Sequence, residues 1–161
     1  MSTIQSSWAT DNLHRIFMSP TYDPKVLNRD EFNLVLRRVQ AIPGTQDLCD
    51  AMILIAHADI DLCGLGNLRW DAINTDEQHF WVERASLDEG RVSYGPRVAD
   101  LLESRRREST LRPRSPFVFG AEPDVTCSQL SGQLTKIAGE LGMAWLDFAT
   151  VQRSACYFFM E

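Results

Sequence analysis

The segment 46–58 (QDLCDAMILIAHA) restricts the fold more than any other, because it is apolar on nearly every side. A helix with one apolar stripe can lie on a surface, but a helix that is apolar all round must be enclosed by other elements. The segment therefore predicts a helix at the centre of a domain. His57 lies near its end, where a core or rim histidine is favoured over a functional one.

The flanking segments supply the elements that such a helix needs. Asn28 and Glu31 have the spacing of a capping box, and Leu27 and Phe32 are placed as a hydrophobic staple across it, which predicts the start of a helix. Further elements are predicted as a short helical turn at 62–68, a hairpin from 79–84 and 90–95, a helix opened by Pro96, an apolar run at 116–119, and helices at 126–141 and 145–160. This order predicts a mainly α fold with a small antiparallel β-sheet, of the α+β class.

The length of 161 residues is that of one ordinary domain. Residues 1–26 are predicted as an N-terminal helix and linker, and residues 27–161 as the domain itself. The 16 basic and 22 acidic residues give a net charge of −6, which argues against a protein that coats nucleic acid by bulk charge. The chain has no apolar run near the about 18 residues of a membrane span and no secretory signal at its start, so we expect a cytoplasmic protein without a membrane partner.

The cysteines do not form a recognisable site. They lie far apart, without a CxxC pair, and the three histidines do not join them at the spacing of metal ligands. These cysteines are Cys49, Cys63, Cys127 and Cys156. We expect buried, reduced thiols, with no metal and no cofactor.

Several of these segments match one known family in order and spacing. The run DLCDAMILIAHADIDLCGLGNLRWDAI, within 47–75, resembles the opening of the catalytic domain of tyrosine recombinases, the phage-integrase family, and Leu68, Trp70, Asp71 and Ile73 match its end. The predicted hairpin and the following GPRVADLLESRR resemble the family's hairpin and next helix. SPFVF and SQLSGQLTKIAGELGM resemble the segments that come after that helix, and LDFATVQRSA stands where the family has its HxLR box. The resemblance covers about 28–158 and implies that family's fold and a link to DNA recombination and integration.

The resemblance also implies that the family's chemistry is missing. The family's first arginine corresponds to Asp61, and its hairpin lysine corresponds to Ala85, with Arg84 beside it. The family's histidine corresponds to Ala149, and its second arginine corresponds to Gln152. The family's tyrosine would lie beyond Glu161. An anionic transition state needs fixed positive donors, and a carboxylate at Asp61 repels phosphate. We therefore expect a protein of phage or mobile-element origin that does not cleave DNA.

Double-stranded DNA is the first candidate partner. The arginines that we expect to contact its phosphates are Arg84, Arg105, Arg106, Arg107, Arg112, Arg114 and Arg153. The alternative interpretation of the stretch at 105–114 is a solvated helix end, where arginines favour the negative pole of the helix.

A protein partner is the alternative. In the family, a C-terminal helix carries the tyrosine and often docks on a neighbouring subunit, and its absence here predicts an exposed apolar groove, which usually indicates a partner. The residues proposed for such an interface are Trp8, Leu13, Ile16 and Phe17 near the start, which could fill the groove in the same chain or in a second one, and Tyr157, Phe158 and Phe159 near the end. The alternative function is then that of a regulatory pseudo-recombinase, which forms a homodimer or binds an active recombinase and does not bind DNA. A decayed fragment without a selected function is the third possibility.

Overall fold

A computed structural model describes residues 25–82, 90–110 and 115–158, with the side chains of 156–158 left aside. The helices of these ranges are α1 (Arg29–Gln40), α2 (Gln46–Ala58), α3 (Leu62–Gly66), α4 (Pro96–Ser109), α5 (Pro123–Glu140) and α6 (Phe148–Phe158), and the strands are β1 (Ile73–Asn74), β2 (His79–Trp81) and β3 (Arg91–Ser93). A single 3₁₀ turn, Trp70–Ala72, joins α3 to β1. The fold is mainly helical with a small antiparallel sheet, as the sequence predicts.

Helix α2 forms the centre of the fold. Only Gln46, Asp47 and His57 of its 13 residues are not buried. It contacts α1, α3, α4, α5 and α6. Because a helix that is apolar all round loses contact with water only when neighbours cover every side, this arrangement follows directly from its sequence.

Helix α1 begins where its capping signals predict. The side chain of Asn28 accepts a hydrogen bond from the backbone N–H of Glu31 at 2.8 Å, and the Glu31 carboxylate accepts one from the Asn28 N–H at 3.0 Å. Leu27 and Phe32, on either side of this capping box, are both buried in the core. Two otherwise unsatisfied N–H groups are thus bonded at the point where the chain enters the domain.

The sheet has three antiparallel strands in the order β1, β2, β3, and its first strand has no clear signal in the sequence. At the far end of the β2–β3 pair, the N–H of Val82 donates to the Gly90 carbonyl at 2.9 Å. Gly90 has a φ of +76°, and a Cβ there would lie 1.8 Å from the Val82 carbonyl oxygen. Only glycine fits this close approach of the two strands.

The apolar run at 116–119 lies against the segment that follows α3. The N–H of Trp70 donates to the carbonyl of Pro116, and the N–H of Val118 donates to the carbonyl of Leu68. Val118 and Phe119 are buried in the core. This backbone pairing holds the end of the α3 segment beside the start of α5.

Two helix starts differ from the sequence-based boundaries. Helix α5 begins at Pro123 instead of residue 126, because proline is well suited to the first turn of a helix. Helix α6 begins at Phe148 instead of residue 145. In the part of the chain that the structure describes, no helix is long and apolar enough to cross a membrane.

Candidate functional site

The first wall of the candidate site is the start of helix α3. Asp61 is the N-cap residue of this helix, and its Oδ1 accepts a hydrogen bond from the Gly64 N–H at 2.7 Å. Aspartate is among the residues that cap helices best, because its side chain satisfies a free N–H and its charge favours the positive end of the helix. The position that the resemblance assigns to the family's first arginine therefore holds a carboxylate with a local structural role.

The second wall is the start of helix α6, which carries two more of the assigned positions. Here Oδ1 of Asp147 accepts hydrogen bonds from the Thr150 backbone N–H at 2.8 Å and from its hydroxyl at 2.7 Å. Ala149 and Gln152 lie on this first turn and a half. The Gln152 amide donates to Oδ1 of Asp59 at 3.3 Å, which ties α6 to the end of α2.

These two helix starts meet α5 around one open cleft of about 440 Å³. Its lining residues are Asp61, Leu62, Cys63, Ser131, Leu134, Thr135, Asp147, Phe148, Ala149 and Gln152. Three of the four assigned positions, Asp61, Ala149 and Gln152, thus line a single cleft although about 90 residues separate the first from the others. The fourth, Ala85, lies outside the described residues, as does Arg84 beside it.

The charge of the cleft is the reverse of what a phosphate needs. Among its described lining residues, Asp61 and Asp147 are carboxylates and none is a lysine, arginine or histidine. Both carboxylates are exposed, and each has one oxygen engaged in capping its helix. Negative charge without a positive partner repels an anion and attracts a cation or an amide donor. The cleft as described therefore offers a phosphate no positive charge.

The cysteines of this region depart from the sequence-based prediction of buried thiols. Cys49 is buried, but Cys63 is exposed in the cleft and Cys127 is only partly buried. The thiol of Cys127 donates to the Leu62 carbonyl at 3.5 Å. Burial raises the pKa of Cys127, and the nearby Cys63, Asp124 and Asp61 raise it further. Cys63 is exposed because it lies on the outer side of this helix, whereas Gly64, Leu65 and Gly66 are buried.

Arg105, the first arginine of the basic stretch, is part of the interior of the fold. Its guanidinium pairs with Asp50 at 2.7 Å and with Asp47 at 3.0 Å, and it lies over the ring of Phe119 at 4.2 Å. It also donates to the Val118 carbonyl. Only 12% of this side chain is exposed. The sequence-based assignment of Arg105 to phosphate contact conflicts with this placement, since its donors are already used by acceptors from α2 and from 116–119.

The other candidate arginines are placed differently. Arg106 and Arg107 are exposed on the last turns of α4, with Arg106 over the Trp70 ring at 4.8 Å and Arg107 paired with Glu103 at 3.1 Å. Arg153 donates to the Lys25 carbonyl at 3.0 Å and to the Thr150 hydroxyl at 3.2 Å. Among the described lining residues of the cleft there is none of these three arginines.

Several of the sequence-based candidates cannot be placed. Arg112 and Arg114 lie outside the described residues, and so do Trp8, Leu13, Ile16, Phe17 and Phe159. Tyr157 and Phe158 lie in the last turn of α6, whose side chains are not described.

Sequence reasoning missed two features of the cleft. Asp147 and its partner Thr150 were not singled out, although an aspartate three residues before a threonine at the start of an apolar segment is a capping signal. Ser131 and Thr135, the polar residues that α5 adds to the cleft, carry no signal, because polar residues on an amphipathic helix are normally assigned to solvent.

No protein-family model and no curated protein matches this chain. Among solved structures, the crystal structure of XerA recombinase matches it with a TM-score of 0.68 at 12% sequence identity. The match covers 89% of this chain and 52% of the XerA chain, so the protein spans about half the length of that recombinase. The fold is thus similar to that of a tyrosine recombinase, and the resemblance inferred from the sequence is confirmed at the level of the fold.

Proposed function

We propose that this protein is a recombinase-like protein that associates with DNA and does not cleave it. The observation that carries the proposal is the cleft in which Asp61, Ala149 and Gln152 lie together. In the family that the sequence resembles, these positions supply the positive donors around the scissile phosphate. Here they supply a carboxylate, a methyl group and an amide.

The expected reduction in the rate of strand cleavage supports this proposal. Removal of a single electrostatic donor from such a site typically costs about 10²–10³ in rate. Three replaced positions, one of them by a residue of opposite charge, leave no stabilisation for an anionic transition state. We therefore expect no strand-transfer activity.

The test is a cleavage assay on supercoiled plasmid and on labelled duplex, with an active tyrosine recombinase and its own DNA site as the positive control. We expect neither relaxation nor a covalent protein–DNA adduct with this protein. A covalent adduct that survives denaturation would refute the proposal, and mass spectrometry of the adduct would identify the attacking residue. A mock purification from cells that do not produce the protein, assayed in parallel, controls for contaminating nucleases.

DNA association is the first candidate role, and it would involve the end of α4. Arg106 and Arg107 are exposed there, and the surface pair of Arg107 with Glu103 is weak enough to be exchanged for a phosphate. Affinity that depends on phosphate contacts falls linearly with the logarithm of the salt concentration. We expect an Arg106→Ala/Arg107→Ala variant to bind more weakly and with a flatter salt slope.

The matched control is Arg37→Ala/Arg38→Ala, which removes the same two charges from exposed positions in the last turn of α1. If the control variant weakens binding as much as the α4 variant, the contact is diffuse and this assignment is wrong. Arg105 is left intact in this experiment, because its replacement would perturb the core.

A protein-interaction role, with a second copy or an active recombinase as the partner, is the second candidate. It is favoured by the charge reversal in the cleft, together with the net charge of −6. Its signature is opposite to that of DNA binding: an assembly held by apolar contacts should change little between low and moderate salt. Light scattering in the buffers of the DNA titration, alone and with an active recombinase, separates the two roles.

A further inference from the structure

Two of the three cysteines whose side chains the structure describes lie together where α3 packs on α5. The thiol of Cys127 on α5 donates to the Leu62 carbonyl on α3 at 3.5 Å. Across a trans peptide bond, a carbonyl oxygen lies about 2.8 Å from the Cα of the next residue, which here is Cys63. The Cys127 sulfur is therefore no more than about 6.3 Å from the Cα of Cys63.

Gly66 provides the space for this approach. A Cβ at Gly66 would lie 2.8 Å from the Cys127 sulfur, so the sulfur occupies the place that a larger residue would fill. Cys63 precedes Gly66 by three residues on the same helix, and side chains three residues apart are neighbours on a helix surface. The two cysteines also interact electrostatically, since Cys63 is one of the causes that raise the pKa of Cys127. Rotation of both side chains, with a small shift of α3, brings the two sulfurs to bonding distance.

The two thiols differ in their access to solvent. Cys63 is exposed and lines the cleft, where its sulfur accepts a hydrogen bond from the Asn67 amide at 3.8 Å. Cys127 is partly buried, and this burial raises its pKa, so its sulfur is a thiol at neutral pH. A dissolved oxidant therefore reaches Cys63 first and finds Cys127 beside it. An accessible cysteine next to a second one is the arrangement in which oxidation ends in a disulfide instead of a higher oxidation state.

We propose that Cys63 and Cys127 are a redox pair, in which a peroxide oxidises Cys63 and Cys127 resolves the product as a disulfide. The Cys63 thiolate attacks one peroxide oxygen, the O–O bond breaks, and the departing hydroxide takes up the proton that Cys63 released. The Cys127 sulfur then attacks the Cys63 sulfenic acid. The S–S bond forms, the S–O bond breaks, and the hydroxyl leaves as water with the Cys127 proton. Two thiols thus lose two electrons, and hydrogen peroxide is reduced to two water molecules.

The disulfide would join two walls of the cleft. Helix α3 carries Asp61 and Cys63, and α5 contributes Ser131, Leu134 and Thr135 to the same cleft. A bond between positions 63 and 127 closes a long loop of the chain, and loops of this kind lose the most freedom in the unfolded state. Oxidation would therefore fix α3 against α5 and stabilise the domain, whether or not the protein binds DNA.

Peptide mapping tests the pairing directly. The full chain is reduced, freed of reductant, treated with hydrogen peroxide and blocked with N-ethylmaleimide. Cleavage before aspartates then places Cys49, Cys63, Cys127 and Cys156 in four separate peptides. We expect a linked 63–127 peptide pair from protein that runs as a monomer on a non-reducing gel, and a thiol reductant should release it.

Single substitutions assign the two roles. In Cys127→Ser, we expect oxidation of Cys63 to stop at the sulfenic acid, which dimedone traps, because no resolving thiol remains. In Cys63→Ser, Cys127 should stay reduced under the same treatment. The matched control is Cys49→Ala, which also removes one thiol, from the core, and should form the 63–127 disulfide like the unaltered chain.

Thermal unfolding tests whether the described geometry accommodates the bond. The melting temperature of the oxidised chain should exceed that of the reduced chain by about 4–16 °C, and peroxide should leave the melting temperature of Cys63→Ser unchanged.

Three results would overturn the proposal. The first is the absence of a 63–127 link when Cys63 has been oxidised to the sulfinic acid. The second is a link from Cys63 only to another cysteine or to a second chain. The third is a 63–127 disulfide that lowers the melting temperature, because α3 and α5 would then have to be distorted to form it.

Discussion

Arg105 joins three parts of the fold, and its replacement should reveal how much the core depends on one cation. Its guanidinium neutralises Asp50, whose side chain is only 9% exposed, and also pairs with Asp47, which is 55% exposed. Arg105→Ala therefore leaves a carboxylate buried at Asp50 without its partner. Leaving a buried charge unpaired in this way costs about 3–5 kcal/mol.

This cost is large for a chain of this size. The whole free energy of unfolding of such a domain is about 5–15 kcal/mol. With a shift of about 2–4 °C per kcal/mol at this length, the melting temperature of Arg105→Ala should fall by roughly 6–20 °C. The assays are thermal unfolding for the melting temperature and urea unfolding for the free energy, both followed by circular dichroism at neutral pH. Arg107→Ala, which removes the same group from an exposed surface pair, should change the free energy of unfolding by less than about 0.5 kcal/mol.

The pH dependence of the stability lost in Arg105→Ala gives a second test of the buried ion pair. Burial raises the pKa of Asp50, and the Arg105 hydrogen bond and charge oppose this shift. Without Arg105, the folded pKa rises further above the unfolded value, so the folded state binds more protons across that window. The variant therefore regains stability relative to the unaltered chain as the pH falls towards the folded pKa. A loss below about 1 kcal/mol, or one that does not shrink on acidification, would refute the assignment of Arg105 to a buried ion pair.

Two further predictions concern the backbone. Asp61→Ala removes the cap of α3 and should lower the free energy of unfolding by about 1 kcal/mol, measured by urea unfolding, whereas Asp61→Asn keeps an acceptor for the Gly64 N–H and should be close to neutral. Gly90→Ala should destabilise by more than about 1 kcal/mol, because its Cβ would collide with the Val82 carbonyl. Gly139→Ala, in α5 with open space around it, should instead be neutral or stabilising by up to about 1 kcal/mol, and a similar loss at both glycines would contradict the steric reason.

Local sequence signals predicted which helices and strands are present better than they predicted the residues at which these elements begin and end. The capping box at Asn28 fixed the start of α1, because both of its hydrogen bonds form between residues three apart. Strand β1 was missed because two residues carry no periodicity, and it forms only because β2 lies beside it. The start of α6 was placed three residues too early, since its cap is a polar residue inside an apolar segment.

The sequence by itself determined that 46–58 would be enclosed by other elements, because a helix that is apolar on every side has no other stable arrangement in water. It also determined that the positions assigned from the resemblance hold a carboxylate and uncharged groups. Only the tertiary structure decided that Asp61, Ala149 and Gln152 share one cleft. It also decided that the Arg105 side chain is largely buried against α2, while Arg106 and Arg107 are exposed. The physical reason is that residue type and spacing are local properties, whereas these placements depend on contacts between α2, α4, α5 and α6 across long stretches of the chain.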